Sequence, residues 1–202
     1  MQKAPAALPE GYCEILRLNL QKDKKTALLV NGLALLIMAA MLIPVLFLVP
    51  AAPLFDLSDP LLYFLRWGVL LAGAIAYIIL HEWTHGFAMG RYGTSRIKYG
   101  FTGLYAYAGS GDYFPKRAYI VIALSPLVLW GILLFILLLL VPEDWFWIVY
   151  GLQIANIGGA AGDLYVVWHF RKLPGDILIQ DDGVSMAVFA KETGTPDETA
   201  GG

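Results

Sequence analysis

Hydrophobic positions collect along the chain in four long blocks, separated by short polar stretches. The blocks are residues 26–50 (TALLVNGLALLIMAAMLIPVLFLVP), 61–89, 118–141 and 145–170. Each is long enough to cross a bilayer as a helix, which takes about 20 mostly apolar residues. Ser58-Asp59-Pro60 is a helix-start signal for the second block, and Pro126 predicts a kink in the third. The first block is too long for a signal peptide and follows a polar segment. Between the second and third blocks the period changes. Ile97, Tyr99, Phe101, Tyr105 and Tyr107 alternate at period two, and Gly109-Ser110-Gly111-Asp112 reads as a turn. The pattern predicts an all-α membrane protein of four transmembrane helices, with a short cytoplasmic β-like loop between helices two and three. One polytopic domain covers residues 1–185, and 186–202 is expected to be a disordered tail.

Composition agrees with this solvent. The 202 residues are 58% hydrophobic and only 15% charged, with a mean hydropathy of +0.64, against roughly 25% charged for soluble domains. A net charge of −2 without a basic run gives no sign of a nucleic-acid partner, and the expected partners are membrane lipid and a protein or peptide substrate. No feature of the chain fixes an oligomeric state. The lone Cys13 cannot form an internal disulfide.

Lysine and arginine set the direction of the spans. Lys3, Arg17, Lys22, Lys24 and Lys25 precede the first span. Arg91, Arg96, Lys98, Lys116 and Arg117 lie between the second and third, and Arg171 and Lys172 follow the fourth. The connections AAPLFDLSDP and PED hold none. A multi-pass cell-membrane protein with both termini cytoplasmic is therefore expected. Arg66, beside Trp67, reads as an interfacial anchor on the outer side.

The chemistry sits at the end of the second span. His81-Glu82-Trp83-Thr84-His85 puts two imidazoles one helical turn apart, where both reach a single zinc ion, with Glu82 beside them as general base for the attacking water. The competing reading is a merely polar interfacial stretch, but ionisable groups inside a membrane are costly and point to function. A catalytic zinc takes three protein ligands. The metzincin extension fails, because Ala88 and Arg91 stand where Gly and His are required. Depth selects Asp163 instead. His81 and His85 lie about 12 and 6 Å inside the end of span two, and Asp163 about 10 Å inside the same end of span four. Gly151, Ala155 and Gly159 lead to Asp163 at four-residue steps and permit close helix approach. His169, in WHFRK, reads as a headgroup-level residue. Asn156 shares the Asp163 face and is a candidate catalytic residue, as a donor to the substrate carbonyl or oxyanion. Its other reading is an interhelical polar contact. The alternating loop at 97–107 is either a strand edge for an extended substrate or an aromatic interface belt.

These residues resemble a family. HEWTH in one span with a late Asp in another looks like the site-two protease type of intramembrane zinc metalloprotease. More closely, LPEGY at 8–12, HEWTHG, ALSP at 123–126 and Gly162-Asp163 resemble the small bacterial membrane proteins called putative zincin peptidases. Site-two proteases show Leu-Asp-Gly where this chain has Gly162-Asp163-Leu164. The resemblance implies a Zn2+ site of His81, His85 and Asp163 with Glu82 catalytic. The implied activity is a membrane-embedded zinc metalloprotease acting near the cytoplasmic face. The alternative is a non-catalytic membrane protein whose metal site is structural or sensory.

Overall fold

A computed structural model describes residues 3–19, 22–103 and 105–192. The element order is β1 (Tyr12–Leu18), α1 (Lys24–Leu46), α2 (Ala52–Phe55), α3 (Pro60–Arg91), β2 (Ile97–Phe101), β3 (Ala106–Pro115), α4 (Lys116–Leu140), α5 (Phe146–Gly159), α6 (Ala161–Phe170), β4 (Leu178–Asp181) and β5 (Met186–Lys191). Among the described residues, three helices (α1, α3 and α4) are long and apolar enough to cross a membrane. Their outer faces are oily: Leu28 is 75% exposed and Leu61 79%. Helix starts follow from local chemistry. Asp23 caps α1 by accepting from the amides of Lys25 and Thr26. Asp59 caps α3 by accepting from Leu62 N–H, with Pro60 in the first turn.

The expected fourth span is divided. Residues 146–170 form two helices of 14 and 10 residues, and neither alone spans a hydrocarbon core of about 30 Å. The join falls at Gly158-Gly159-Ala160, where paired glycines weaken the helix. Hydrogen bonds from Ala160 N–H to Asn156 O and from Leu164 N–H to Ala160 O carry the chain across it. Asp163 thereby falls in the first turn of α6, where a carboxylate is favoured by the free amides and the helix dipole.

The all-α expectation requires correction. The β-like loop is one corner of a five-stranded antiparallel sheet, in the order β1-β5-β4-β3-β2. Three of its strands lie where none was expected, β4 among them, in the stretch after the fourth block. β1 lies in the N-terminal segment, and β5 lies inside the stretch read as a tail. Val188 is fully buried and Phe189 nearly so, so burial of apolar side chains orders residues 186–191. The remainder of the expected tail, 193–202, lies outside the described residues. The turn is also displaced. Gly109–Asp112 runs within β3, where the register shifts between Ser110 and Tyr113. The hairpin closes instead at Thr102–Tyr105, with Gly103 at φ 89°. Tyr99 pairs with Ala108 and Gly100 with Tyr107, so Tyr107 points to the face opposite Tyr99. Moving the turn changed the parity.

The sheet rests on the ends of α3, α4 and α6. Met89, Phe114, Tyr119, Ile122, Phe170, Ile179 and Val188 form one buried cluster between them. At the far end of the helices, Arg66 is no free anchor: it is 4% exposed, donates to Pro53 O at 2.8 Å and pairs with Asp144 at 3.2 Å. Trp67 and Trp147 donate to Leu54 O and Pro50 O, so the 50–57 connection is pinned from below.

Candidate metal centre

The last third of α3 carries His81, Glu82 and His85, and its long apolar helix brings them beneath the sheet. Three ligand atoms converge there. His81 Nε2 and His85 Nε2 lie 3.2 Å apart, and each lies 3.5 Å from a carboxylate oxygen of Asp163. Among the described residues, these three form the His/Cys/Asp/Glu group able to hold one ion. His169 lies outside it, beside the ring of Tyr165.

The outer ring nitrogens determine the tautomers. His85 Nδ1 lies 3.0 Å from the carbonyl of Ile122, which can only accept, so Nδ1 carries the proton. That carbonyl is available for a reason the sequence states. In an α-helix Ile122 O would receive the amide four residues on, and that residue is Pro126, which has no N–H. Ser125 Oγ donates to the same oxygen at 2.8 Å. On the other side, His81 Nδ1 lies 2.8 Å from the hydroxyl of Tyr77, one turn earlier on α3. Tyr77 donates its proton to Asn156 Oδ1 at 2.9 Å, while Asn156 Nδ2 donates to Leu127 O at 3.3 Å. The Tyr77 oxygen is thus left to accept from His81 Nδ1–H.

In the neutral form of each ring Nε2 carries no proton, and two lone pairs then face a carboxylate at close range. Such an arrangement repels itself unless a proton or a metal ion lies between. The 3.5 Å spacings also exceed the 2.7–2.9 Å typical of a charged hydrogen bond. Tetrahedral zinc with nitrogen and oxygen ligands at about 2.0–2.1 Å spaces them about 3.3 Å apart. The donor set therefore fits zinc in chemistry and in spacing.

Glu82 lies in the wall of the same cavity, of about 330 Å³, with His81, His85 and Asp163. Ala106 and Ala108 of β3 line it across from α3. Thr84 donates to Leu80 O and accepts from Trp130 Nε1 at 3.1 Å, fixing α3 against α4. Gly86 allows the hairpin to close over the helix. A Cβ there would lie 2.0 Å from Tyr99 Oη and 3.0 Å from Ile97 Cγ2.

A protein family described as putative zincin peptidases matches residues 74–178, a segment holding all four of these residues. The chain belongs to this family. Among curated proteins and among solved structures there is no match. Membership in a zincin-like peptidase family agrees with a metallopeptidase and with zinc as its metal, and it spans the HEWTH motif, Pro126 and Asp163.

Asn156 is fully buried, and its side chain is committed to Tyr77 and Leu127 O. It lies between helices and not in the cavity wall, and it reaches His81 only through Tyr77. Sequence reading missed Tyr77, although four residues before His81 is the same helix face. It also read Pro126 only as a kink. Asn31 of α1 and Asp181 of β4 line the cavity too. Asn31 could have been noticed as the polar residue within an otherwise apolar span. Asp181 accepts from Tyr119 and from Gly183 N–H, and burial pushes its carboxyl above the usual range.

Proposed function

We propose that the protein is a membrane-embedded zinc metalloprotease that hydrolyses peptide bonds of membrane-bound or membrane-proximal substrates near the cytoplasmic face. The observation that carries this reading is the convergence of the two Nε2 atoms and the Asp163 carboxylate in one cavity with Glu82. His81, His85 and Asp163 would hold the metal. When bound, zinc supplies a Lewis acid for the scissile carbonyl and acidifies water.

Glu82 takes a proton from the attacking water as the new carbon–oxygen bond forms. It then delivers that proton to the leaving nitrogen as the carbon–nitrogen bond breaks. One water is consumed, and the products are a carboxylic acid and an amine, which settle as carboxylate and ammonium. Ile122 O and Tyr77 hold the Nδ1–H of the two imidazoles, the tautomer that turns Nε2 toward the metal.

The test separates base from ligand. Glu82→Gln should retain zinc, measured by metal analysis of purified protein, and lose peptide hydrolysis. His81→Ala, His85→Ala and Asp163→Ala should each lose the metal, while His169→Ala keeps it. A Glu82→Gln variant that cleaves at the wild-type rate would falsify the mechanism.

A further inference from the structure

A second cavity meets the metal centre at Glu82. It is a groove of about 640 Å³ between the outward face of α3 and the β2–β3 hairpin. Ile75, Ile79 and Trp83, at four-residue steps on α3, wall one side, and Tyr99 and Phe101 of β2 wall the other. The groove opens on the face that α3 turns to the bilayer: Ile79 is 63% exposed and Phe101 70%. Glu82 is the one charged side chain among its described lining residues. Glu82, Ala106 and Tyr107 line this groove and the metal cavity alike. Whatever fills the groove therefore lies against the residue assigned as base.

The chemistry of the wall selects the occupant. Apolar and aromatic side chains accept apolar surface and nothing else. A lipid tail would satisfy them but would offer the Glu82 carboxylate nothing beyond its contact with the Ala108 backbone amide, leaving its remaining lone pairs facing hydrocarbon, which is costly. A peptide satisfies both, because an apolar side chain in the groove brings its own backbone beside Glu82. The geometry points to this groove as the subsite for a bulky apolar side chain next to the cleaved bond of a membrane-resident peptide, entering sideways from the bilayer between α3 and the hairpin. This rests on the protease reading above and adds to it the substrate class and the route.

Cross-linking tests occupancy without requiring turnover. In a Glu82→Gln, Cys13→Ala background, which removes the one native cysteine, Ile79→Cys is paired with synthetic single-span peptides carrying a scanned cysteine. Val128→Cys, on the exposed face of α4, is the control. Disulfide yield at 79 should peak at one peptide position and stay at background for 128. In the otherwise native chain, Ile79→Trp should slow cleavage of a peptide with Phe beside the cleaved bond, relative to its Ala counterpart, on the order of tenfold. Zinc content should not change. Equal yields at 79 and 128, or an Ile79→Trp variant that slows both peptides alike, overturn the assignment. If the native chain cleaves neither peptide, the protease reading fails, and the cross-linking still decides whether the groove holds peptide.

Discussion

A histidine is a useful metal ligand only when the nitrogen facing the ion is free of its proton. Here the tautomer that leaves Nε2 for the ion is selected by Ile122 O for His85 and by Tyr77 for His81. Tyr77→Phe removes the acceptor while keeping the ring. Zinc affinity should fall about 10- to 100-fold, read by competition with a chelator, with the fold intact by circular dichroism. Unchanged affinity would show that His81 needs no partner. Pro126→Ala is the subtler test, because it restores an amide that competes with His85 for Ile122 O. A helix interior favours Ala over Pro by about 3 kcal/mol, so α4 should gain thermal stability while zinc affinity drops. A variant that gains in both would break the link between Pro126 and His85. The grouping of the three residues was legible: HExxH gives two, and similar depth from one end of the helices gives Asp163. Their supports were less so. Tyr77 could be read from helical spacing, but the Pro126 effect needs the knowledge that α4 passes beside α3, which no local pattern contains.

Elements show the same division. The long apolar blocks marked α1, α3 and α4 with small errors at their ends, because length and oiliness are properties of a segment by itself. The fourth block was equally oily, but its Gly158-Gly159 pair divides it, and the sequence reading used those small residues only as packing sites. Strands fared worse. β2 and β3 were visible as alternation, yet the turn was assigned to Gly109–Asp112, whose composition suits a turn better than that of Thr102–Tyr105. The hairpin's closeness to α3 yields a prediction of sign. Gly86→Ala gains about 1 kcal/mol of helix propensity but meets the Tyr99 ring, and overpacking costs about 1–3 kcal/mol. The substitution should lower the thermal midpoint in the native background and raise it when combined with Tyr99→Ala. The same sign in both backgrounds would show that Tyr99 moves aside freely.

For the molecule as a whole, the proposed orientation follows from lysine and arginine placement, and it is checked by topology reporters. Fusions at residues 55, 105 and 202 should report outside, inside and inside. An external residue 105 would put the HEWTH motif on the wrong side of the membrane and end the cytoplasmic-site proposal. The sheet was the least legible feature, since β1 and β5 stand at opposite ends of the chain and each is short and weakly patterned alone. That pairing also sets an order of events during synthesis. The ribosome makes β1 before any helix, but its hydrogen-bonding partner β5 comes after every helix. The β2–β3 hairpin likewise waits for β4, and Asp163 joins His81 and His85 only once α6 has emerged. Non-local strand pairing forms slowly, so the sheet that roofs the cavity closes last. A nascent chain halted before α6 holds both histidines and Glu82 but lacks their carboxylate ligand. Translation thereby keeps the candidate metal centre incomplete until α1, α3 and α4 have all been made.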